Sequence, residues 1–156
     1  MSHILDNMIW NAIITGNSDI AIADGDVGLY QPDIAPFAGL KELNGKSLDT
    51  LSALVPVGNR VAIAYPDTLS LDADKWTTLQ QMDVTQMVYE EPVATFTTAA
   101  SSLIVPLGGE HIPAMLELTA LTKPGPFLPR TILFGNYFGI FVNGKLAAMA
   151  GQRMHP

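Results

Sequence analysis

The chain contains no cysteine, which excludes disulfide bonds, thiol nucleophiles and thiolate ligands for a metal ion. Histidine is scarce, with His3, His111 and His155 as the three examples. No histidine has a second histidine three or four residues away, so the sequence predicts no metal site. The members of a Ser-His-Asp triad need only meet in space, but no Gly-x-Ser-x-Gly turn is present. Each histidine is therefore interpreted as a surface or helix-capping residue.

The sequence also has few positively charged residues, and its apolar runs are short. Lys and Arg number 8 against 15 Asp and Glu, and the net charge of −7 argues against a nucleic-acid partner. No apolar run approaches the ~20 residues that span a bilayer, which argues against a membrane. Residues 1–16 contain Asp6 and no Lys or Arg, so the basic start of a signal peptide is missing. We therefore expect a cytoplasmic protein.

Apolar residues, in contrast, are plentiful. They make up 48% of the 156 residues, and charged residues make up 15%, which is unlike a disordered chain. This length suits one domain, or one small domain with part of another.

The clearest pattern lies between His111 and Gly151. It begins with a predicted helix, in which Pro113 suits the first turn because its missing N–H would be unpaired there anyway. The segment Lys123–Pro126 ends this helix and opens a rigid loop that runs to Pro129. The predicted core face of the helix consists of Ile112, Met115, Leu116 and Thr119, with Leu118 and Leu121 beside it.

A hairpin is predicted after that loop. Tyr137–Val142 and Lys145–Ala150 are two apolar runs, and Asn143-Gly144 joins them. Asn-Gly between two apolar runs is the strongest short hairpin signal that a sequence offers.

These residues also carry a family resemblance. The run LELTALTKPGPFLPRT, then a Gly-containing strand, an Asn-Gly turn and LAAMAGQRM, resembles the GNAT superfamily of acetyl-CoA-dependent N-acetyltransferases. It is most similar to the bacterial branch related to glycine N-acyltransferases, which carries an extra N-terminal region. The resemblance covers residues 103–154. It implies that this segment is the first strand, the first helix, a substrate-side loop and the next hairpin of that fold.

The resemblance sets the expectations for fold and function. It implies an α/β (α+β) protein with a mixed, mostly antiparallel sheet and few helices. Residues 1–100 would be an appended α/β region, and residues 101–156 the front of a GNAT domain. The implied activity is transfer of an acetyl group from acetyl-CoA to a small-molecule or peptide amine, without a metal. The alternative is a non-catalytic binding or interaction module that retains the front of the fold.

The acetyl-CoA motif of that family is a Gly-rich turn that opens a later helix, and it is not present in these residues. We therefore assign no cofactor-binding and no catalytic residue. We also expect the strand near residues 145–154 to pair with another chain, either in a homodimer or with a chain that carries the remaining half of the fold.

Two residues of the loop are candidates for binding the acceptor, since the resemblance places this loop beside the acceptor site. Arg130 could hold a substrate carboxylate through a bidentate pair, and Phe127 could form a wall of the pocket. The alternatives are a structural ion pair for Arg130 and a core anchor for Phe127.

Small residues dominate the run from Leu146 to Gly151, although Ala and Gly are poor strand formers. This composition predicts the close approach of another backbone or helix. By resemblance it would form a thin wall near the acetyl-CoA groove, and the alternative is tight helix packing.

The first hundred residues give weaker signals. A short helix is predicted at 8–14, a hairpin turn at 24–26 between strands at 19–23 and 27–30, and irregular chain at 31–37. A helix capped by Ser47 should run to Val55, and a strand is expected at 60–65. Residues 76–80 and 84–89 are expected to form two further strands or one bent strand. Residues 93–102 are interpreted as a linker.

The segment Gly39–Ser47 ends in Gly-Lys-Ser, as a phosphate-binding P-loop does. However, five residues separate Gly39 from Gly45, where the P-loop requires four. An Asn-Gly turn followed by a capped helix is therefore the favoured interpretation.

Overall fold

A computed structural model of the chain describes residues 3–65, 71–89 and 103–156. These residues form three α-helices, α1 (Met8–Ile14), α2 (Gly45–Leu54) and α3 (Ile112–Thr122). Short 3-10 helices span Ile4–Asn7, Ser18–Ile20, Gly109–His111 and Thr131–Phe134. Within the described part of the chain, no helix is long and apolar enough to cross a bilayer.

The N-terminal strands form one four-stranded sheet in the order β1 (Ala21–Asp24), β2 (Val27–Tyr30), β3 (Phe37–Leu40) and β4 (Ala62–Ile63). The first two pairings are antiparallel, and β4 runs parallel to β3. The predicted hairpin turn is present, with Gly25 at a φ of 58°. The sheet is therefore mixed and mostly antiparallel, as predicted.

The C-terminal strands form a separate antiparallel sheet in the order β5 (Ile104–Pro106), β6 (Phe138–Val142) and β7 (Lys145–Ala150). The predicted Asn143-Gly144 hairpin is confirmed, with positive φ angles of 51° and 75°. Positive φ at both central residues is typical of a type I′ turn. A bulge interrupts the β6–β7 ladder beside Ile140, and Ala147 has no Cα partner there.

Helix α3 confirms the main helical prediction. A proline lies in its first turn, and Lys123 at a φ of 49° ends it. Met115 and Thr119 are buried on the predicted face. Leu121, which was predicted beside that face, is instead 80% exposed.

Several N-terminal predictions were wrong in detail. Helix α2 is capped by Asn44 and not by Ser47: the Ser47 N–H donates to Asn44 Oδ1 over 3.0 Å. The Asn44 N–H donates back to Ser47 Oγ over 3.1 Å, which completes a capping box. The strand predicted at 60–65 is confined to β4, and β3 was not predicted. Gly39 lies in the middle of β3, and a glycine there weakens the sequence pattern that predicts a strand. Its missing side chain leaves room for the backbone of Trp10, which packs against this position.

The strands predicted at 76–80 and 84–89 are not present, since these residues have no regular secondary structure. Val84, Met87, Val88 and Tyr89 are all exposed, so this apolar run has no face to bury against a sheet. The linker predicted at 93–102 lies outside the described residues.

The main hydrophobic core contains residues from both of the predicted regions. Its buried members are Ile9, Ile13, Ile20, Tyr30, Ile34, Ala35, Leu107, Met115, Phe134, Tyr137 and Leu146. Tyr30 meets Phe134 edge to face, with ring centroids 4.9 Å apart. The division at residue 100 stays a prediction, but residues on both sides of it share this core.

The segment after β7 returns to the N-terminal region. The His155 N–H donates to Asn17 Oδ1 over 3.1 Å, and the Thr15 hydroxyl lies 3.4 Å from the His155 carbonyl oxygen. A methyl group at Gly16 would lie 2.9 Å from the His155 side chain, so only glycine leaves room for this segment. Residues 151–156 are thereby held beside both α1 and the second sheet.

Candidate functional site

A groove of about 360 Å³ lies between the C-terminal half of α3, the loop after it and the end of β7. This volume is in the range of small-molecule sites. We call it the α3–β7 groove. Its lining residues are Leu118, Thr119, Thr122, Pro124, Phe127, Tyr137, Ala148, Met149, Ala150, Gly151 and Arg153.

The helical wall of the groove is apolar in character. The Thr119 hydroxyl donates to the carbonyls of Met115 and Leu116, at 2.9 and 3.1 Å. The Thr122 hydroxyl donates to the Leu118 carbonyl over 2.9 Å. Because both hydroxyl protons are used within the helix, neither threonine has a proton left to donate to a ligand.

The opposite wall uses the small residues of β7. Ala148 and Ala150 line the groove, and Gly151 follows them. A side chain at Gly151 would overlap the ring of Tyr137, so glycine is required there. The close neighbour at Gly151 is an aromatic ring, and not the backbone or helix that was predicted to approach this run.

Two aromatic rings and one guanidinium meet beside Gly151. Phe127 and Tyr137 pack edge to face, with centroids 5.8 Å apart. Arg153 donates to the Pro126 carbonyl oxygen and lies beside the Tyr137 hydroxyl. Burial raises the pKa of Tyr137, and the neighbouring Arg153 guanidinium offsets part of that rise. We call Phe127, Tyr137, Gly151 and Arg153 the arginine corner.

Of the two predicted acceptor-binding residues, Phe127 lines the groove and Arg130 does not. Arg130 Nη1 lies 3.0 and 3.2 Å from the two carboxylate oxygens of Asp33, and 2.9 Å from Gln31 Oε1. The structural ion pair considered for Arg130 is therefore present. A role for Arg130 in binding the acceptor stays a prediction.

Arg153 was not predicted as a site residue. It lies two residues after the small-residue run, but only the folded chain brings its guanidinium to Tyr137 and Pro126. The available sequence signal was an arginine soon after a strand of small residues, and it does not indicate which element the guanidinium meets.

The other sequence motifs have structural roles. His111 Nδ1 accepts the Gly108 N–H over 2.9 Å, and His3 Nδ1 accepts the Leu5 N–H over 3.2 Å, so both cap 3-10 helices. The P-loop-like segment is the capping box of α2. Among the residues that the structure describes, no group of three or more His, Asp or Glu side chains could hold a metal ion.

The chain thus has an α/β fold of two small sheets, with a small-molecule groove beside the C-terminal one. The crystal structure of a proposed GNAT-family acetyltransferase from Novosphingobium aromaticivorans DSM 12444 has this fold. The TM-score is 0.77 and the sequence identity 26%, over 99% of this chain and 66% of that chain. No family model matches the chain. No curated protein matches it significantly.

The comparison confirms the resemblance to the GNAT superfamily, and this chain has the GNAT fold. The likeness extends beyond the segment that carries the motifs, since it includes the first hundred residues. The chain spans 66% of the length of its structural neighbour, which is just under two thirds.

Acetyl-CoA is the co-substrate that this fold implies, and its pyrophosphate needs free backbone N–H groups at a helix start. In the described residues, α1 and α3 each follow a 3-10 turn, and α2 begins on the Asn44 side chain. Helix α3 follows the pair Gly108-Gly109, but the Gly108 N–H donates to His111, Pro113 has no N–H, and the Glu110 carboxylate beside Gly108 would repel an anion. The described residues therefore do not fit the pyrophosphate group.

Proposed function

We propose that the protein is an acyltransferase that acetylates an amine with acetyl-CoA, and that the α3–β7 groove binds the amine acceptor. The supporting observation is the groove itself. It lies between helix α3, the end of β7 and the Pro-rich loop, and the GNAT resemblance places that loop on the acceptor side. The fold shared with a proposed acetyltransferase supports the general class of activity.

Acetyl-CoA would supply the activated acetyl group, and the residues described here would position the amine. Holding an amine in a fixed orientation can lower the barrier by several kcal/mol, about 7–11 in the best cases. The described side chains that line the groove include no carboxylate and no imidazole, so this wall would contribute orientation and exclusion of water rather than a general base. We assign no proton transfer to these residues.

A second candidate is a binding module without catalysis. The observation that favours it is the lack of a fit for the acetyl-CoA pyrophosphate among the described residues. Such a module would bind the same ligand in the same groove and would not acetylate it.

Release of coenzyme A separates the two candidates. Acetyl transfer releases the free thiol of coenzyme A, which a colorimetric thiol assay detects against a reaction without the amine. The protein at its natural length would be incubated with acetyl-CoA and a panel of amines. The acetyltransferase proposal predicts thiol release that depends on the amine, together with an acetylated amine detected by mass spectrometry. Ligand binding without any acetylated product would contradict it and support the binding module.

A further inference from the structure

The α3–β7 groove has an unusual charge for this protein. The chain carries a net charge of −7, yet the groove lining contains one charged side chain, and that side chain is the cation Arg153. An acidic protein that places a lone guanidinium in an otherwise apolar groove has created a local preference for an anion.

No carboxylate in the described part of the chain forms an ion pair with the Arg153 guanidinium. Within residues 3–65, 71–89 and 103–156, the ion pairs are Lys41–Asp26, Lys75–Asp49, His111–Glu110 and Arg130–Asp33. Arg153 instead donates to the Pro126 carbonyl, which fixes the position of the guanidinium and leaves most of its five donors free. The guanidinium is thus oriented, and no carboxylate of the described residues pairs with it.

The surroundings of Arg153 define the rest of the ligand. Phe127 and Tyr137 meet at a right angle and offer an aromatic surface, while Leu118 and Met149 line the same groove. The Tyr137 hydroxyl, beside Arg153, is protonated at neutral pH like that of any tyrosine, and burial raises its pKa further, so it can donate a hydrogen bond. Guanidinium and hydroxyl together form a donor pair that matches a carboxylate.

We infer that the acceptor is an amine that also carries a carboxylate and an apolar side group, and that Arg153 binds the carboxylate. This inference rests on the proposed function, since it names the acceptor class of the same groove. Arg153 is then the residue that determines specificity in the arginine corner, while the ion pair of Arg130 with Asp33 links two parts of the fold.

Two matched ligand pairs test the inference without requiring catalysis. L-phenylalanine and L-leucine would each be compared with the corresponding amide, which differs only in the carboxylate. Each would be titrated into the 156-residue chain and followed by the backbone amide signals of Tyr137, Ala150 and Gly151. We expect at least one of the acids to bind in the groove about tenfold or more tightly than its amide, the loss typical of removing a charge-assisted hydrogen bond.

Substitutions at two arginines test which residue causes the preference for the acid over the amide. Arg153→Gln should abolish the preference for the acid over the amide, and Arg153→Lys should retain part of it. Arg130→Gln tests the competing prediction that Arg130 binds the carboxylate, and it should leave the preference unchanged because Arg130 lies outside the groove and pairs with Asp33. Equal binding of acid and amide to the unmodified chain, binding of neither, or loss of the preference in Arg130→Gln alone would overturn the inference.

The titration of acids and amides can succeed or fail independently of the acetyltransferase assay. If binding depends on the carboxylate but the thiol assay detects no acetylation, the proposed acetyltransferase activity is overturned and the proposed ligand class stands. Acetylation of acids and amides at equal rates would support the proposed function and overturn the role of Arg153. If Arg153→Gln fails to fold, the comparison of acid with amide on the unmodified chain still tests whether the groove prefers a carboxylate.

Discussion

Arg130 and Asp33 form an ion pair across 97 residues of sequence, with guanidinium to carboxylate distances of 3.0 and 3.2 Å. The Arg130 backbone N–H also donates to the Asp33 carbonyl over 3.2 Å. The pair therefore fastens the loop after α3 to the segment after β2. It joins the first hundred residues, which were predicted to form an appended region, to the part of the chain that carries the family motifs.

The first prediction concerns the strength of this pair. Its side chains are 46% and 52% exposed, so water screens the attraction and the coupling should be about 0.2–1 kcal/mol. A double-mutant cycle with Arg130→Ala and Asp33→Ala, read by urea unfolding, measures it. The Lys41–Asp26 pair, which is exposed to a similar degree, is the matched control. A coupling above about 2 kcal/mol would show that the pair is better desolvated than described.

The second prediction tests the packing of α1 on the first sheet. A methyl group at Gly39 would lie 2.5 Å from the Trp10 Cα atom, and a backbone cannot move aside cheaply. Gly39→Ala should therefore reduce the free energy of unfolding by about 1–3 kcal/mol. Gly45→Ala, in the first turn of α2 with nothing within 4 Å, should be neutral or slightly stabilising. Equal effects at the two positions in thermal unfolding would contradict this packing.

The third prediction concerns alkaline pH. Burial raises the pKa of Tyr30 and of Tyr137 above the ordinary value of 10.0. The native state therefore holds these protons more tightly than the unfolded state does. The stability that they contribute is fully present below pH 10 and falls as the pH rises above it. Urea unfolding at a series of pH values should show this fall, and Tyr30→Phe and Tyr137→Phe should each reduce it. Ultraviolet titration showing native ionisation of both groups at the ordinary pKa would contradict the burial.

The fourth prediction concerns assembly. β7 pairs with β6 on one side, and no described strand pairs with its other side. The same sheet leaves Ile104, Phe138 and Val142 about half exposed, at 46%, 46% and 54%. Open edges with apolar neighbours favour association. We expect a homodimer, or a complex with a chain that supplies the missing strand, to appear in sedimentation velocity. A monomer at every concentration would contradict this and favour the binding module.

The elements that could be predicted from the sequence are those with local causes. The Asn143-Gly144 hairpin follows from positive φ at two adjacent residues, which these residue types tolerate. Helix α3 follows from its apolar spacing, its early proline and its Pro-Gly stop. The GNAT fold was predicted from the resemblance of the same segment.

The features that were missed depend on contacts between distant residues. β3 exists because Gly39 lets the Trp10 backbone approach, and no local pattern shows that contact. The apolar residues at 84–89 suggested a strand, but a strand also needs a partner and a face to cover. One residue of the groove, Phe127, was predicted from the sequence. Arg153 was not, because it reaches the groove only when β6 and β7 bring Gly151 against Tyr137.

The measurement that tests the central claim most directly is the kinetics of acetylation after the groove is filled. Ala150 lines the α3–β7 groove, and Ala147, also exposed on β7, does not. In the protein at its natural length, Ala150→Phe should raise the KM for the amine at least tenfold while leaving the KM for acetyl-CoA within about twofold. Ala147→Phe should change neither constant. Equal KM values for the amine in both variants, or an equal rise for amine and acetyl-CoA in Ala150→Phe, would contradict the assignment of this groove to the acceptor.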